Sequence, residues 1–369
     1  MNASEIHSRL QAGALDALVT VAPENITFMT GSYNAIRDLI KERPSIVVWP
    51  LASAPFVVAP EVEVAWLEEH SSIDDITAYR GVAHDAVSAL RKRVEDTELQ
   101  RAVVGVDMDL ASAALIRGIE RSLAGWELVD AGDLIGQLRA VKTEEQVDLL
   151  RRAGLATDRA EWAALRQFEI GWTGHQLGLA LRKQLLEEGA DSILFLNLGS
   201  GPDNRASHPK PSRRALQPGE ILRFDLGGVF DGWCTDMAKT AAIGRATTAQ
   251  KDMFQRLRAI LDRHIERMIP GAKAAGLYRK VEDDFDANGM AYRGPHVGHG
   301  IGLSVHEKPI LAPSSAMTLQ PGTVLCAEVV HRATDTEFFH LEELVLVDSD
   351  GSLPLSRSEA TDDELPIIG

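Results

Sequence analysis

The pattern of apolar and polar residues changes after the first third of the chain. Before that point, apolar runs of strand length alternate with segments of helical periodicity. The pattern predicts helices over 4–13, 61–70, 84–95 and 111–123, and strands over 15–22, 45–51, 54–60 and 102–108. Such alternation is typical of an α/β domain.

A second region begins after a break near residues 136–143. T-x-x-Q patterns at Thr143 and Thr173 predict capping boxes that start two helices, one to about residue 167 and one over 174–188. Further on, the pattern predicts helices over 248–268 and 273–287, between strand-like runs over 192–201, 220–244 and 323–331. We therefore predict an α/β domain over 1–138 and an α+β domain over 139–369.

Composition and charge narrow the classes of function. A chain of 369 residues exceeds the roughly 250–300 residues at which a single core stops growing, which agrees with two domains. The 54 acidic and 38 basic residues give a net charge of −16, which argues against nucleic acid and anionic membranes as partners. Two cysteines are too few for a disulfide framework. The sequence suggests no signal peptide or spanning segment, so a cytoplasmic location is the default expectation.

Two aspartates in apolar surroundings are the first candidates for chemistry. Asp225 and Asp236 lie in a strand–turn–strand pattern around three glycines. A turn near Phe230 and Asp231 would let the two aspartates face each other, where like charges repel unless a cation or proton intervenes. The alternative is that each aspartate only closes a turn, but the apolar neighbours favour the first interpretation.

Further carboxylates lie in two later strands. Glu328 lies in TVLCAEVV, and Glu342 and Glu343 lie in FFHLEELVLV. Glutamates are rarely buried without a partner, so the alternative to a ligand role is an edge or surface position. Glu342 and Glu343 must point to opposite faces, and we assign Glu343 to the edge or surface. Strand alternation alone does not decide which of the two faces the site.

The segment HVGHGIGLSVHEKP, residues 296–309, contains His296, His299 and His306 among three glycines. Glycine permits unusual dihedrals and a close backbone approach. A lone histidine in such a loop is more often structural, but four in-strand carboxylates favour a ligand. Two aspartates, two glutamates and one histidine suit Mn²⁺, Co²⁺, Fe²⁺ or Zn²⁺. Four carboxylates suit two ions roughly 3.5–4 Å apart.

These motifs resemble the creatinase/prolidase/methionine-aminopeptidase superfamily, which has the pita-bread fold. The matching segments are DLGGVFDGWCTD, GHGIGLSVHEKP, the glutamate of LCAEVV and the first glutamate of HLEELVLV. AGALDALVTVAPENITFMTGS and LRAVKTEEQVDLLRRAG resemble the N-terminal domain and the catalytic entry helix of Xaa-Pro peptidases. The resemblance covers essentially the whole chain. It implies a creatinase-like domain over 1–138, a pita-bread catalytic domain over 139–369, and a homodimer.

The resemblance also implies roles for individual residues. It implies that two divalent ions (Mn, Co, Zn or Fe) are bound by five residues: Asp225, Asp236, His299, Glu328 and Glu342. Asp236 and Glu342 are expected to bridge the two ions. The first glutamate of the last motif is thereby the ligand. Glu328 is also the candidate base that takes a proton from water and passes it to the leaving nitrogen. His306 and His208 are expected to stabilise the developing negative charge.

The implied reaction is hydrolysis of the Xaa-Pro bond at the N-terminus of dipeptides or short peptides. His340 stands where many Xaa-Pro enzymes carry arginine, and is a candidate substrate-binding residue together with His296, for which a structural role is the alternative. This departure leaves two other functions open. One is a metal-dependent hydrolase or lyase of a small non-peptide molecule. The other is an inactive binding module, which the intact ligand set disfavours.

The two cysteines each precede a candidate ligand by two residues. Cys234 precedes Asp236, and Cys326 precedes Glu328. By strand alternation each should share a face with that ligand. They are either small buried core residues or thiols near the metals.

Overall fold

The computed structural model describes residues 3–95, 97–357 and 364–369, in two compact units, Met1–Arg139 and Ala140–Gly369. The strands of the first unit are β1 (Ala17–Thr20), β2 (Ile46–Pro50), β3 (Phe56–Pro60), β4 (Ile76–Tyr79), β5 (Ala102–Val106) and β6 (Trp126–Asp130). Its helices are α1 (Ala3–Ala12), α2 (Pro23–Thr30), α3 (Ile36–Leu39), α4 (Glu61–His70), α5 (Ala83–Glu95), α6 (Ala113–Ser122) and α7 (Gly132–Ala140), with a 3₁₀ turn at Glu98–Gln100.

The first unit is a six-stranded sheet with helices on both faces, in the order β4-β3-β2-β1-β5-β6. Strand β2 is antiparallel to its neighbours, and the other pairs are parallel. Successive strand residues, such as Val47 and Val48, point to opposite faces of the sheet and belong to two separate apolar clusters. This arrangement confirms the predicted α/β class. Helices α2, α3 and α7 and strands β4 and β6 were not predicted.

The second unit is built around one long antiparallel sheet. Its strands are β7 (Ser192–Ser200), β8 (Ile221–Phe230), β9 (Trp233–Cys234), β10 (Met237–Ile243), β11 (Gly298–Gly300), β12 (Glu307–Ile310), β13 (Val324–Arg332), β14 (Phe338–Asp348), β15 (Gly351–Pro354) and β16 (Ile367–Ile368). Its helices are α8 (Glu144–Arg166), α9 (Gly174–Glu187), α10 (Thr248–Glu266) and α11 (Ala274–Ala287), with a 3₁₀ turn at Gly201–Arg205. The main strand order is β12-β11-β13-β14-β10-β8-β7.

Two helix pairs of the second unit repeat each other at an offset of 100 residues. Helix α8 ends at Arg166 and α9 spans Gly174–Glu187, whereas α10 ends at Glu266 and α11 spans Ala274–Ala287. Left-handed glycines recur at the same offset, at Gly171 and Gly271 and at Gly189 and Gly289. The predicted capping boxes at Thr143 and Thr173 are present, and Thr247 forms a third.

The helix pairs pack on one face of this sheet and leave polar groups on the other. Leu325, Val329 and Leu341 lie in the apolar cluster formed with α10 and α11. Leu222 and Phe224 lie in the cluster formed with α8 and α9. Because strand side chains alternate, the residues between them point to the opposite face. Glu328, Glu342 and Asp225 are among those residues.

The turn between β8 and β9 differs from the prediction. Its central residues are Asp231 and Gly232, both with positive φ (49° and 83°), as in the Asp-Gly hairpins that suit strand twist. The turn is therefore one residue later than expected. Asp225 lies opposite Ala238, and Asp236 shares its face as a diagonal neighbour.

Neither cysteine forms a disulfide, and both side chains are buried. Among the described residues, none of the helices combines the length and the apolar character needed to cross a membrane.

Candidate metal centre

Five neighbouring strands, in the order β11-β13-β14-β10-β8, bring the candidate ligands together. Ala238 on β10 lies between Asp225 on β8 and Glu342 on β14, and Glu342 pairs in turn with Glu328 on β13. His299 on β11 lies opposite Cys326 of β13. Four different stretches of sequence thus meet on one sheet face because the register aligns them.

The side chains converge around Glu342. Nε2 of His299 lies 3.6 Å from Oε1 of Glu342 and 3.7 Å from Oδ2 of Asp236. Nε2 of His340 lies 3.0 Å from Oε1 of Glu328 and 3.6 Å from Oε2 of Glu342. His299 and Glu342 are almost inaccessible to solvent, at 1% and 4% exposure.

These residues fit divalent cations. Three buried carboxylate oxygens, Oδ1 of Asp225, Oδ1 of Asp236 and Oε1 of Glu342, accept no hydrogen bond within the described part of the chain. Buried charges of this kind need a cation or a partner. Two groups of residues offer ligand atoms that lie within 4.8 Å of one another inside each group. The first group is Asp236, His299, Cys326 and Glu342, and the second is Glu328, His340 and Glu342. Glu342 belongs to both groups. Asp225 stands outside both groups and accepts a 3.2 Å hydrogen bond from Asn197.

The pKa shifts of the buried side chains also indicate a site for cations. Burial and the nearby Glu342 raise the pKa of Asp236 well above its ordinary value. Burial and the nearby Glu328 do the same to the pKa of Glu342. Burial lowers the pKa of His299 to about 4, so its ring is neutral at physiological pH, the form that binds a metal. Crowded carboxylates that repel one another beside a neutral imidazole are stabilised by cations.

Glu328 differs from the other carboxylates. Its burial raises its pKa, but His296 and His340 outweigh burial and hold the pKa well below the ordinary value. Nδ1 of His296 lies 3.2 Å from Oε2 of Glu328. Each of the two histidines therefore lies beside one oxygen of this carboxylate.

All nine predicted site residues line one cavity of about 890 Å³. The ring of His306 stacks on that of His299 with centroids 3.7 Å apart, and burial and His296 lower the pKa of His306. His208 lies exposed on the loop that follows β7. The structure thus brings together the residues of four separate motifs, although Asp225 and His208 lie at the periphery of the cluster.

The assignment of Glu343 to the edge or surface was wrong. Glu343 is 4% exposed and lies on the helix-covered face of the sheet. It forms ion pairs with Arg258 and with Arg357, the latter at 2.7 Å. The burial is tolerated because both carboxylate oxygens receive a charged donor.

Two residues of the site, Asn197 and Arg223, escaped the sequence interpretation as functional groups, whereas Cys326 had been considered as a thiol near the metals. Asn197 pairs with Asp225 across β7 and β8, and Arg223 lies two residues before Asp225 on the same face. Both are polar residues inside apolar strands, which was a usable signal. Sγ of Cys326 lies 3.6 Å from the backbone oxygen of Asp236, so this thiol is at the site, not only in the core.

Comparison with known proteins agrees with this geometry. The model of metallopeptidase family M24 matches residues 148–349, and that of the creatinase/prolidase N-terminal domain matches residues 4–141. The chain belongs to metallopeptidase family M24. This M24 membership confirms the superfamily and the fold class predicted from the motifs, and makes the chain a metallopeptidase, a class that uses divalent metal ions.

Relatives of this M24 chain extend along most of its length. A probable dipeptidase PepE from Mycobacterium tuberculosis is 28% identical over 347 residues, covering 93% of this chain and 90% of the relative. The Xaa-Pro dipeptidase of Lactobacillus helveticus is 26% identical and covers 100% and 99%. The crystal structure of dipeptidase PepE from Mycobacterium ulcerans is 25% identical, with a TM-score of 0.86 and coverage of 99% and 96%.

Proposed function

We propose that this M24 metallopeptidase holds two divalent metal ions and hydrolyses the Xaa-Pro bond at the N-terminus of dipeptides or short peptides. The observation that carries the proposal is the cluster around Glu342, where buried carboxylate oxygens without partners face the neutral ring of His299. The activity of relatives named as Xaa-Pro dipeptidases supports the choice of substrate.

Five side chains would hold the ions: Asp225, Asp236, His299, Glu328 and Glu342. Divalent cations in such a site lower the pKa of water and polarise the carbonyl group under attack. The sharing of Glu342 by two ligand groups supports a two-ion site in which this glutamate bridges.

The remaining roles fall to residues around the cluster. Glu328 accepts the proton of the attacking water and passes it to the leaving nitrogen, and it is ionised beside His296 and His340, as a proton acceptor must be. His306 and His208 donate hydrogen bonds to the oxygen that gains charge. His296 and His340 orient Glu328 and line the space for the substrate.

Metal analysis and a substrate panel test the proposal. The purified chain is expected to bind two ions, to hydrolyse Ala-Pro faster than Ala-Ala, to lose activity with a chelator and to regain it with Mn²⁺ or Co²⁺. A single ion per chain would contradict the two-ion site. Turnover of non-peptide amides in place of Xaa-Pro peptides would replace the substrate proposal.

A homodimer and a cytoplasmic location remain proposals that follow from the resemblance and from the sequence. Light scattering of the purified chain measures its mass in solution, and cell fractionation locates it. A monomer, or a chain recovered outside the cytoplasm, would contradict them.

A further inference from the structure

His340 is a buried histidine whose ring faces the candidate ligands. It is 6% exposed and alternates along β14 with Phe339 and Leu341, which pack in the apolar cluster formed with α10 and α11. Because strand side chains alternate, the ring points to the other face of the sheet, where Glu342 lies two residues further on. His340 and Glu342 accordingly line the same cavity.

The neighbouring strands fix the backbone of His340. The hydroxyl group of Thr240 on β10 donates a 2.9 Å hydrogen bond to the carbonyl oxygen of His340 and accepts another of 2.9 Å from its backbone nitrogen. Thr240 is itself 1% exposed. On the other side, His340 lies opposite Val330 of β13. The direction in which the histidine ring projects is therefore set by the sheet.

The ring nitrogens of His340 have the surroundings of a metal ligand. Nε2 lies 3.0 Å from Oε1 of Glu328 and 3.6 Å from Oε2 of Glu342. Neither contact has the alignment of a hydrogen bond, and within the described part of the chain neither ring nitrogen has a hydrogen-bond partner. Buried polar atoms are normally partnered, so this nitrogen, aimed between two carboxylates, calls for a cation.

The spacing of the three residues suits a single ion. Ligand atoms of Glu328, His340 and Glu342 lie within 4.8 Å of one another. Bonds of about 2.0–2.2 Å to one ion place neighbouring ligand atoms about 3–4 Å apart, which is the range of both Nε2 contacts. His296 differs, since its Nδ1 lies 3.2 Å from the other oxygen of Glu328 but the residue belongs to neither group of ligand atoms.

We infer that His340 is a sixth protein ligand, which binds through Nε2 the ion held by Glu328 and Glu342. The inference rests on the proposed two-ion site. With His299, the centre then has two imidazole ligands. Imidazole suits Zn²⁺ and Fe²⁺, whereas carboxylate and water suit Mn²⁺ and Mg²⁺. The second imidazole should therefore shift the preference of the site from Mn²⁺ towards Zn²⁺.

A crystal structure of the full chain loaded with Zn²⁺ tests the inference directly. Nε2 of His340 is expected about 2.0–2.1 Å from an ion that Glu328 and Glu342 also bind. A distance beyond about 2.3 Å from every ion would overturn the inference, and so would a site without ions.

The relative affinity for two metals gives a second measurement. Calorimetric competition on the metal-free full chain should show that His340→Phe lowers the affinity for Zn²⁺ at least roughly 10-fold, since loss of even an outer-shell partner has that effect. The affinity for Mn²⁺ should fall less. Equal losses for both metals would show that His340 only orients Glu328, and would overturn the inference.

His296→Phe is the matched control, because it removes the other histidine beside Glu328. It should leave the ratio of Zn²⁺ to Mn²⁺ affinity at the wild-type value, and a change equal to that of His340→Phe would count against a ligand role specific to His340. Circular dichroism checks the folding of both variants. If His340→Phe does not fold, the wild-type crystal structure decides alone.

Hydrolysis of Ala-Pro separates this inference from the proposed function. If the metal-loaded chain hydrolyses no Xaa-Pro peptide, the proposed substrate is wrong, while the distance from Nε2 to the ion still decides the role of His340. If the chain hydrolyses Ala-Pro but His340→Phe leaves the affinity ratio unchanged, the proposed function stands and the ligand role of His340 is overturned.

Discussion

Two neighbouring glutamates on β14 have opposite energetic roles. Glu342 is surrounded by other carboxylates, and burial with Glu328 raises its pKa, so its charge destabilises the protein unless cations are bound. Glu343 is held by Arg258 and Arg357, so its charge stabilises the fold. The same residue type, one position apart, is therefore specialised for binding on one face and for stability on the other.

Substitution of each glutamate by glutamine tests this contrast. Glu342→Gln should raise the Tm of the chelated protein, abolish activity and remove the Tm gain caused by added metal. Glu343→Gln should lower Tm in both states, since breaking a buried ion pair costs about 3–5 kcal/mol. Differential scanning fluorimetry with and without metal measures both. A chelated Glu342→Gln protein that melts below the wild type would contradict the proposed charge crowding.

The sequence placed the candidate ligands better than it placed their surroundings. Asp225 and Glu328 are single acids in apolar strands, Asp236 directly precedes another apolar strand, and all three line one cavity. The burial of Glu343 could not be predicted because its partner Arg258 lies 85 positions earlier in the chain. The pattern of apolar and polar residues indicates whether a strand is buried, but it does not identify the distant side chain that pairs with a buried charge.

At the scale of the elements, periodicity predicted the longer helices well and the edge strands poorly. Helix α4 was predicted over 61–70 and spans Glu61–His70. Strands β4 and β6 lie at the two edges of their sheet and contain exposed or half-buried residues, so they lack an apolar run. Strand β11 is Gly298–Gly300, and glycine disfavours strands, so its strand conformation depends on pairing with β12 and β13.

A buried histidine, His264, connects helix α10 to the segment that leads into β11 and His299. Nε2 of His264 lies 2.7 Å from the backbone oxygen of Val297, and the residue is 0% exposed. Burial lowers the pKa of His264 to about 4. In the unfolded chain the His264 ring takes up a proton below its ordinary pKa of 6.5, whereas in the folded chain it stays neutral until about pH 4. The free energy of unfolding therefore decreases as pH falls from 6.5 towards 4.

His264→Gln removes this pH dependence and keeps an amide donor for Val297. Between pH 7.5 and pH 5 the free energy of unfolding of the wild type should fall by about 2 kcal/mol more than that of the variant. Urea unfolding at both pH values measures the difference. His299, whose pKa is also lowered, contributes equally to both proteins and cancels. Parallel losses would show that His264 does not carry the effect.

At the scale of the whole molecule, the offset of 100 residues between the helix pairs shows what sequence patterns miss. Gly171 and Gly271, and Gly189 and Gly289, occupy matching left-handed positions, but the helices between them differ in nearly every exposed residue. Backbone geometry and core spacing are repeated, whereas side-chain identity is not. The repeat is therefore not visible as a repeated sequence, although the pairs α8/α9 and α10/α11 of the second unit have the same backbone arrangement.

All predicted site residues lie between positions 208 and 342, inside the second unit, which has apolar clusters of its own. A fragment of residues 140–369 should therefore fold and bind the same number of metal ions as the full chain. Circular dichroism checks its folding, and metal analysis counts the ions. The same fragment with Glu342→Gln is the matched control and should bind fewer. A folded fragment without metal would show that residues of the first unit complete the site, against the assignment made from β8, β10, β11, β13 and β14.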